Sequence, residues 1–143
     1  MDLMLELVEC IQEPLRLLYV LVVARGGRYQ PGRYEAASEM SLEAAEGFLK
    51  EFGDFLESDG RHHLWVVRPG FGTVVYDRHD LLYAYGPLDR FVDVLQANGL
   101  REGTVEIPAT HWHGYHPEFD DAQSRMLSRF RWIHSPLHKG DDV

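Results

Sequence analysis

A single cysteine, Cys10, stands in the chain, so an intrachain disulfide and a four-cysteine zinc site are both excluded. Lysine is nearly as scarce, because 12 of the 14 basic residues are arginine. Long apolar runs are missing as well: the uninterrupted run at 17–24 falls far short of the about 20 residues that a bilayer-spanning helix needs. The N-terminal stretch carries Asp2, Glu6, Glu9 and Glu13 where a secretory leader would carry basic residues. Neither a leader nor a membrane span is expected, and the reducing cytoplasm is the expected compartment. No low-complexity run and no internal repeat occurs.

Positive charge is the other shortage. Against 14 basic residues stand 23 acidic ones, a formal net charge of −9. An acidic field repels phosphate backbones and attracts cationic surfaces, so nucleic acid and membrane are poor partners and a basic protein is a better one. What is present is the balance of a globular domain: 45% of the 143 residues are hydrophobic and 26% charged. A chain of this length buries roughly 70% of its unfolded surface, enough for one core without covalent staples. One globular domain over 1–143 is expected.

The periodicities call for an α+β fold. Residues 2–12 place Leu3, Met4, Leu7, Val8 and Ile11 on one helical face. Residues 15–24 are rich in β-branched and aromatic side chains and read as a central strand covered on both faces. Two glycine-proline breaks make 25–39 a loop. Ser41 offers an N-cap for a helix with Leu42, Ala45, Phe48, Leu49, Phe52, Phe55 and Leu56 at three-and-four spacing. Three short strands follow at 63–68, 73–76 and 81–85, separated by turn residues as in an antiparallel meander. Gly86-Pro87 opens a helix whose apolar face is Leu88, Phe91, Val92 and Leu95, and Asn98-Gly99 closes it with Leu100 beyond. A last strand is expected at 104–107. A C-terminal helix from Pro117 carries Phe119, Ala122, Met126, Phe130 and Ile133 in register. The sum is a mixed, mostly antiparallel sheet of about five strands with helices packed against it.

Three groups of residues bear on chemistry. In His111-Trp112-His113-Gly114-Tyr115-His116 the first two histidines, two apart on an extended segment, point the same way and suit a shared metal. His116 is a third candidate ligand and Glu118 a candidate oxygen ligand or base, for a divalent transition metal such as zinc. The same side chains equally suit a structural role, stacking and hydrogen-bonding to anchor the last helix, and that reading requires no cofactor. Arg28-Tyr29 and Arg33-Tyr34 place positive charge and aromatic surface in one loop. Arginine and tyrosine are enriched at protein interfaces, and arginine clamps phosphates, so a partner or a nucleotide would dock there. The alternative is tyrosines that cover core edges under solvated arginines. In Asp77-Arg78-His79-Asp80 a histidine lies among carboxylates, the raw material of acid-base work, although Asp at both ends of a turn also satisfies turn backbone. Cys10, among Leu7, Val8 and Ile11, reads as a small buried residue.

The spacing His111-x-His113-x4-Glu118 resembles the first ligand motif of the cupins. Val105 and Arg125 replace the glycines that flank that motif, and no second histidine motif follows, so the likeness implies a ligand set and not the barrel. Residues 77–95, a charged turn, the strand Leu81-Leu82-Tyr83-Ala84-Tyr85, then Gly86-Pro87 and an amphipathic helix, look like segments of bacterial immunity proteins. Those are small acidic partners that neutralise toxins. The resemblance implies a cytoplasmic binding protein that occludes a toxin by direct contact and does no chemistry itself. A metal-dependent enzyme using the histidine cluster is the rival expectation.

Overall fold

The computed structural model describes residues 1–105 and 114–141. Helix α1 (Asp2–Ile11) leads into strand β1 (Arg16–Leu21), which pairs with β2 (Gly32–Ala36). Helix α2 (Leu42–Ser58) then connects to the meander β3 (His62–Arg68), β4 (Gly72–Tyr76) and β5 (Leu82–Tyr85). Helix α3 (Leu88–Ala97), a 3-10 turn (Pro117–Phe119), α4 (Asp120–Arg129) and β6 (Trp132–Ser135) complete the order. The described strands form one sheet, β5-β4-β3-β1-β2-β6, in which every neighbouring pair is antiparallel. The fold is α+β, with six strands where about five were expected.

The local signals explain the helices. In α2 the Ser41 hydroxyl accepts from the Ala44 amide at 3.2 Å, satisfying one orphan donor of the first turn. Its apolar stripe of Ala45, Phe48, Leu49, Phe52, Phe55 and Leu56 is buried, and each large side chain there contributes roughly 1.5–3 kcal/mol. Helix α3 ends as its Asn98-Gly99 pair predicts. Gly99 has a φ of +77°, its amide bonds the Gln96 carbonyl at 2.9 Å, and the Leu100 amide bonds the Leu95 carbonyl at 3.0 Å. Its apolar face is narrower than expected: Phe91 is buried, whereas Leu88, Val92 and Leu100 are exposed. Gly86 (φ +140°) lets β5 turn into α3, since a Cβ there would stand 2.8 Å from the Phe71 carbonyl oxygen.

The described helices lie on one face of the sheet, in the order α3-α1-α2-α4, and the core forms between the two layers. The sheet contributes Leu17, Tyr19 and Leu21 from β1, Leu64 and Val66 from β3, Val74 and Tyr76 from β4, and Tyr34 and Ala36 from β2. Tyr19 reaches through this layer, its hydroxyl accepting from Gln123 Nε2 of α4 at 3.0 Å. Burial raises the Tyr19 phenol well above its usual range. One charged pair is sealed in at the end of α2: Asp59 and Arg61 meet through two bonds of 2.7 and 2.8 Å, with side chains 0% and 1% exposed.

Four expectations need correction. The stretch 25–39 contains β2, which the glycine and proline residues around it conceal. The C-terminal helix stops at Arg129, and Trp132 and Ile133 belong to β6, where Trp132 turns inward and Ile133 outward. Their alternation fits a strand as well as a helix, and an open edge on β2 decides in favour of the strand. Thr104 and Val105 carry no regular structure, while the remainder of the expected strand, 106–107, lies outside the described residues. Strand β1 is central, but helices cover only one of its faces; on the other, Leu18 is half-buried.

Candidate functional site

The face of the sheet that bears no helix among the described residues follows from strand alternation. Cross-strand register aligns Arg33 with Val20 and His63, Glu35 with Leu18 and Trp65, and Trp65 with Val75 and Tyr83. These side chains, with Tyr85 and Ile133, all point away from the helices. Tyr83, Tyr85 and Ile133 are 39%, 61% and 57% exposed, so the outer part of the face is open and aromatic.

The C-terminal segment crosses the other end of this face. Residues 138–141 form a turn in which the Asp141 carboxylate accepts from the His138 amide at 2.6 Å and the Asp141 amide bonds the His138 carbonyl. Two neighbours of Val20 hold it down. Arg33 donates to Asp141 Oδ1 at 2.7 Å, and His63 Nε2 lies 3.0 Å from the Asp141 carbonyl oxygen. His63 Nδ1 accepts from the Arg78 amide at 3.3 Å, so the ring is the neutral tautomer with its proton on Nε2, donated to Asp141. Burial, the main influence, lowers the His63 pKa and agrees with that neutral form.

Between the tail and the open end lies a cleft of about 200 Å³ lined by His63, Trp65, Val75, Asp77, Tyr83 and Tyr85, with Gly140 and Asp141 at its rim. Arg33 stands 5.6 Å over the Trp65 ring, so that ring already holds a cation. Asp77 brings negative charge to the wall. Its Oδ1 accepts from the His79 and Leu81 amides at 2.8 and 3.0 Å, and Oδ2 lies 3.3 Å from His79 Nδ1. Burial and then the Asp77 charge raise the Tyr83 phenol above its ordinary value. Tyr83 thus stays protonated and able to donate.

The structure divides the residues singled out from the sequence. Asp77 lines the cleft from just beyond β4, and Arg33 on β2 touches two of its lining residues, Trp65 and Asp141. His79 and Asp80 belong to the turn beside it, and Asp80, at φ +61°, accepts from the Tyr76 hydroxyl at 2.7 Å. Tyr34 points the opposite way into the core, its hydroxyl donating to the Gln30 carbonyl at 2.7 Å. Arg28 sits over the Tyr29 ring at 5.7 Å and lines a different cleft. The two Arg-Tyr pairs are therefore not one cluster. His116 and Glu118 are exposed and 3.5 Å apart, while His111 and His113 lie outside the described residues. Among the described residues no group of three or more histidine, cysteine or carboxylate side chains is placed to hold a metal. Cys10 is buried, and burial raises its thiol pKa.

Trp65, Tyr83 and Tyr85 went unnoticed as site residues. Their signal is period two: each alternates with an inward residue, Leu64 and Val66 around Trp65, and Ala84 between the tyrosines. It becomes legible only when the strands are set in register. Among the described residues no helix is long and apolar enough to cross a membrane. Comparison of the chain with models of protein families, with curated proteins and with solved structures finds no match.

Proposed function

We propose that the protein is a non-catalytic binding protein whose helix-free sheet face docks a basic partner protein. The observation that carries this reading is the grouping of Trp65, Tyr83 and Tyr85 around a small cleft with Asp77 in its wall. Tryptophan, tyrosine and arginine dominate the energetics of protein interfaces. At about 200 Å³ the cleft is below the roughly 300–1,000 Å³ typical of small-molecule sites, and suits one side chain of a partner. Aromatic faces beside a carboxylate attract an arginine or lysine, in keeping with the charge of −9. The segment that resembles immunity proteins, 77–95, supplies Asp77, Tyr83 and Tyr85, which supports neutralisation of a bacterial toxin by direct contact.

The test is a purified complex with the toxin-like product of an adjacent reading frame. Native mass measurement is expected to show a stoichiometric assembly, and Tyr85→Ala to weaken it by about 30-fold or more. Asp77→Asn removes the charge yet keeps an oxygen for the turn amides, and is also expected to weaken it. Undiminished affinity in both variants overturns the docking site. A complex that leaves the toxin active overturns the neutralising role alone.

A second reading, a metal-dependent enzyme, rests on the approach of His116 to Glu118. Those two donors are fewer than the three protein ligands of a catalytic zinc, so His111 or His113 must complete the set. Elemental analysis of protein purified without chelator, together with melting before and after chelator, decides it. A stoichiometric transition metal and a lowered melting temperature support the enzyme.

A further inference from the structure

A second cleft, of about 570 Å³, shares no residue with the first and lies between α4 and the loop joining β1 to β2. Its lining brings Arg28 from the loop together with Arg125 and Arg129 from α4, beside Ser124, Ser128 and Glu51. Three of the 12 arginines of a strongly acidic chain thus line one open depression.

Their partners make the grouping more telling. Arg129 pairs with Glu51 at 2.7 Å, and as a cation in the last turn it also meets the negative end of the helix. Arg129 is therefore accounted for. Arg28 and Arg125 are not: the first stands over Tyr29 and the second 5.9 Å over Phe52, and neither has a carboxylate partner among the described residues. Arg125 and Arg129 are four residues apart on one helix, a spacing at which like charges destabilise it unless an anion lies between them. Subtracting Glu51 and the half charge of the helix end from three guanidinium groups leaves about one and a half positive charges at the cleft.

We propose that this cleft binds the phosphate group of a small phosphorylated molecule. Planar guanidinium forks from two elements can each give a phosphate two parallel N–H bonds, which a point-charge ammonium cannot do. The cleft is wide enough for the remainder of such a molecule beside the phosphate. The site is independent of the aromatic face and of the docking role assigned to it.

Calorimetric titration of the full chain with inorganic pyrophosphate tests the site. Saturable one-to-one binding is expected, and R28A combined with R125Q is expected to weaken it at least about tenfold. Both side chains are exposed and make no ion pair among the described residues, so the double variant is expected to melt like the parent. Should it fail to fold, R28A alone, in a surface loop, carries the test with a weakening of several-fold. K50A, at a separate cleft beside Met1 and Asp54, and the open-face variant Y85A are expected to bind pyrophosphate as the parent does. Absence of saturable binding, unchanged affinity in the arginine variants, or the same heats from sodium chloride at matched ionic strength overturns the proposal.

Discussion

The two faces of the sheet use the same strands and differ in almost every physical respect. Facing the helices, Leu17, Tyr19, Leu64, Val66 and Val74 are at or near zero exposure and meet the interior of a closed layer. Facing away, Trp65, Val67, Tyr83, Tyr85 and Ile133 alternate with them residue by residue, and much of their surface meets water. Alternation alone assigns each side chain to its face, so a one-residue slip would exchange the two sets. The inner set accounts for stability. The outer set has large aromatic side chains that leave much of their surface in water, and this contrast is the basis of the docking reading.

Breaking the closed face is expected to have the largest effect. Phe52→Ala removes a ring that is 1% exposed and packs on Phe48 with centroids 5.1 Å apart. A loss of about 3–5 kcal/mol is expected in urea unfolding, because the cavity between α2 and the sheet relaxes only in part. Asp59→Ala attacks the polar end of the same layer and leaves the Arg61 guanidinium buried without its main partner. Asp120 reaches that group from only one side, at 3.2 Å, and is itself half in solvent. A comparable loss of about 3–5 kcal/mol is expected. If both variants unfold like the parent, the helical side does not dominate the stability and the contrast between the faces fails.

The elements with strong local signals were legible in the sequence, and those settled by neighbours were not. Helix α2 combines a cap, an unbroken stripe and a stop, and the three strands of the meander were separated by unambiguous turns. Strands β2 and β6 are four or five residues long and hold their conformation through pairing with β1 and with each other. Nothing local marks them, since Gly32 looks like a break and Trp132-Ile133 like a helix end. The candidate site was legible to the same extent. Arg33 and Asp77 were singled out by residue type, but the aromatic residues around them come from β3 and β5, and the tail that meets them from residue 141. Only tertiary register unites those segments.

Acid probes the closed face by another route. His62, at the start of β3, lies between Tyr19 and Phe55, with ring centroids 5.1 and 4.7 Å away. Its side chain is buried and neither ring nitrogen makes a hydrogen bond of full geometry. Burial, opposed in part by the Leu56 backbone, lowers its pKa to about 3. The unfolded chain, with an ordinary histidine near 6.5, therefore binds the proton more readily than the folded one. The contribution of His62 is complete above that value and is lost as the pH falls from about 6.5 towards 3, by up to about 1.4 kcal/mol per pH unit. His63, also lowered, adds to the loss in the same direction. His62→Phe is expected to flatten this dependence in urea melts taken across that range. An equally steep profile in the variant places the acid sensitivity elsewhere.

The smallest expected change in stability is the one that sharpens the comparison most. Tyr85→Ala removes a ring that is 61% exposed at the end of an edge strand, and its loss is expected to alter unfolding by no more than about 0.5 kcal/mol. The ring can pack on one side only, so little apolar area leaves water when the chain folds. Against a partner the same ring would be enclosed, and truncation of an enclosed aromatic anchor costs about 2 kcal/mol or more in binding. Side-by-side urea melts and affinity measurements on this one variant therefore separate the two faces by function. A large stability loss would assign Tyr85 to the core of the fold, and the open face would cease to be open.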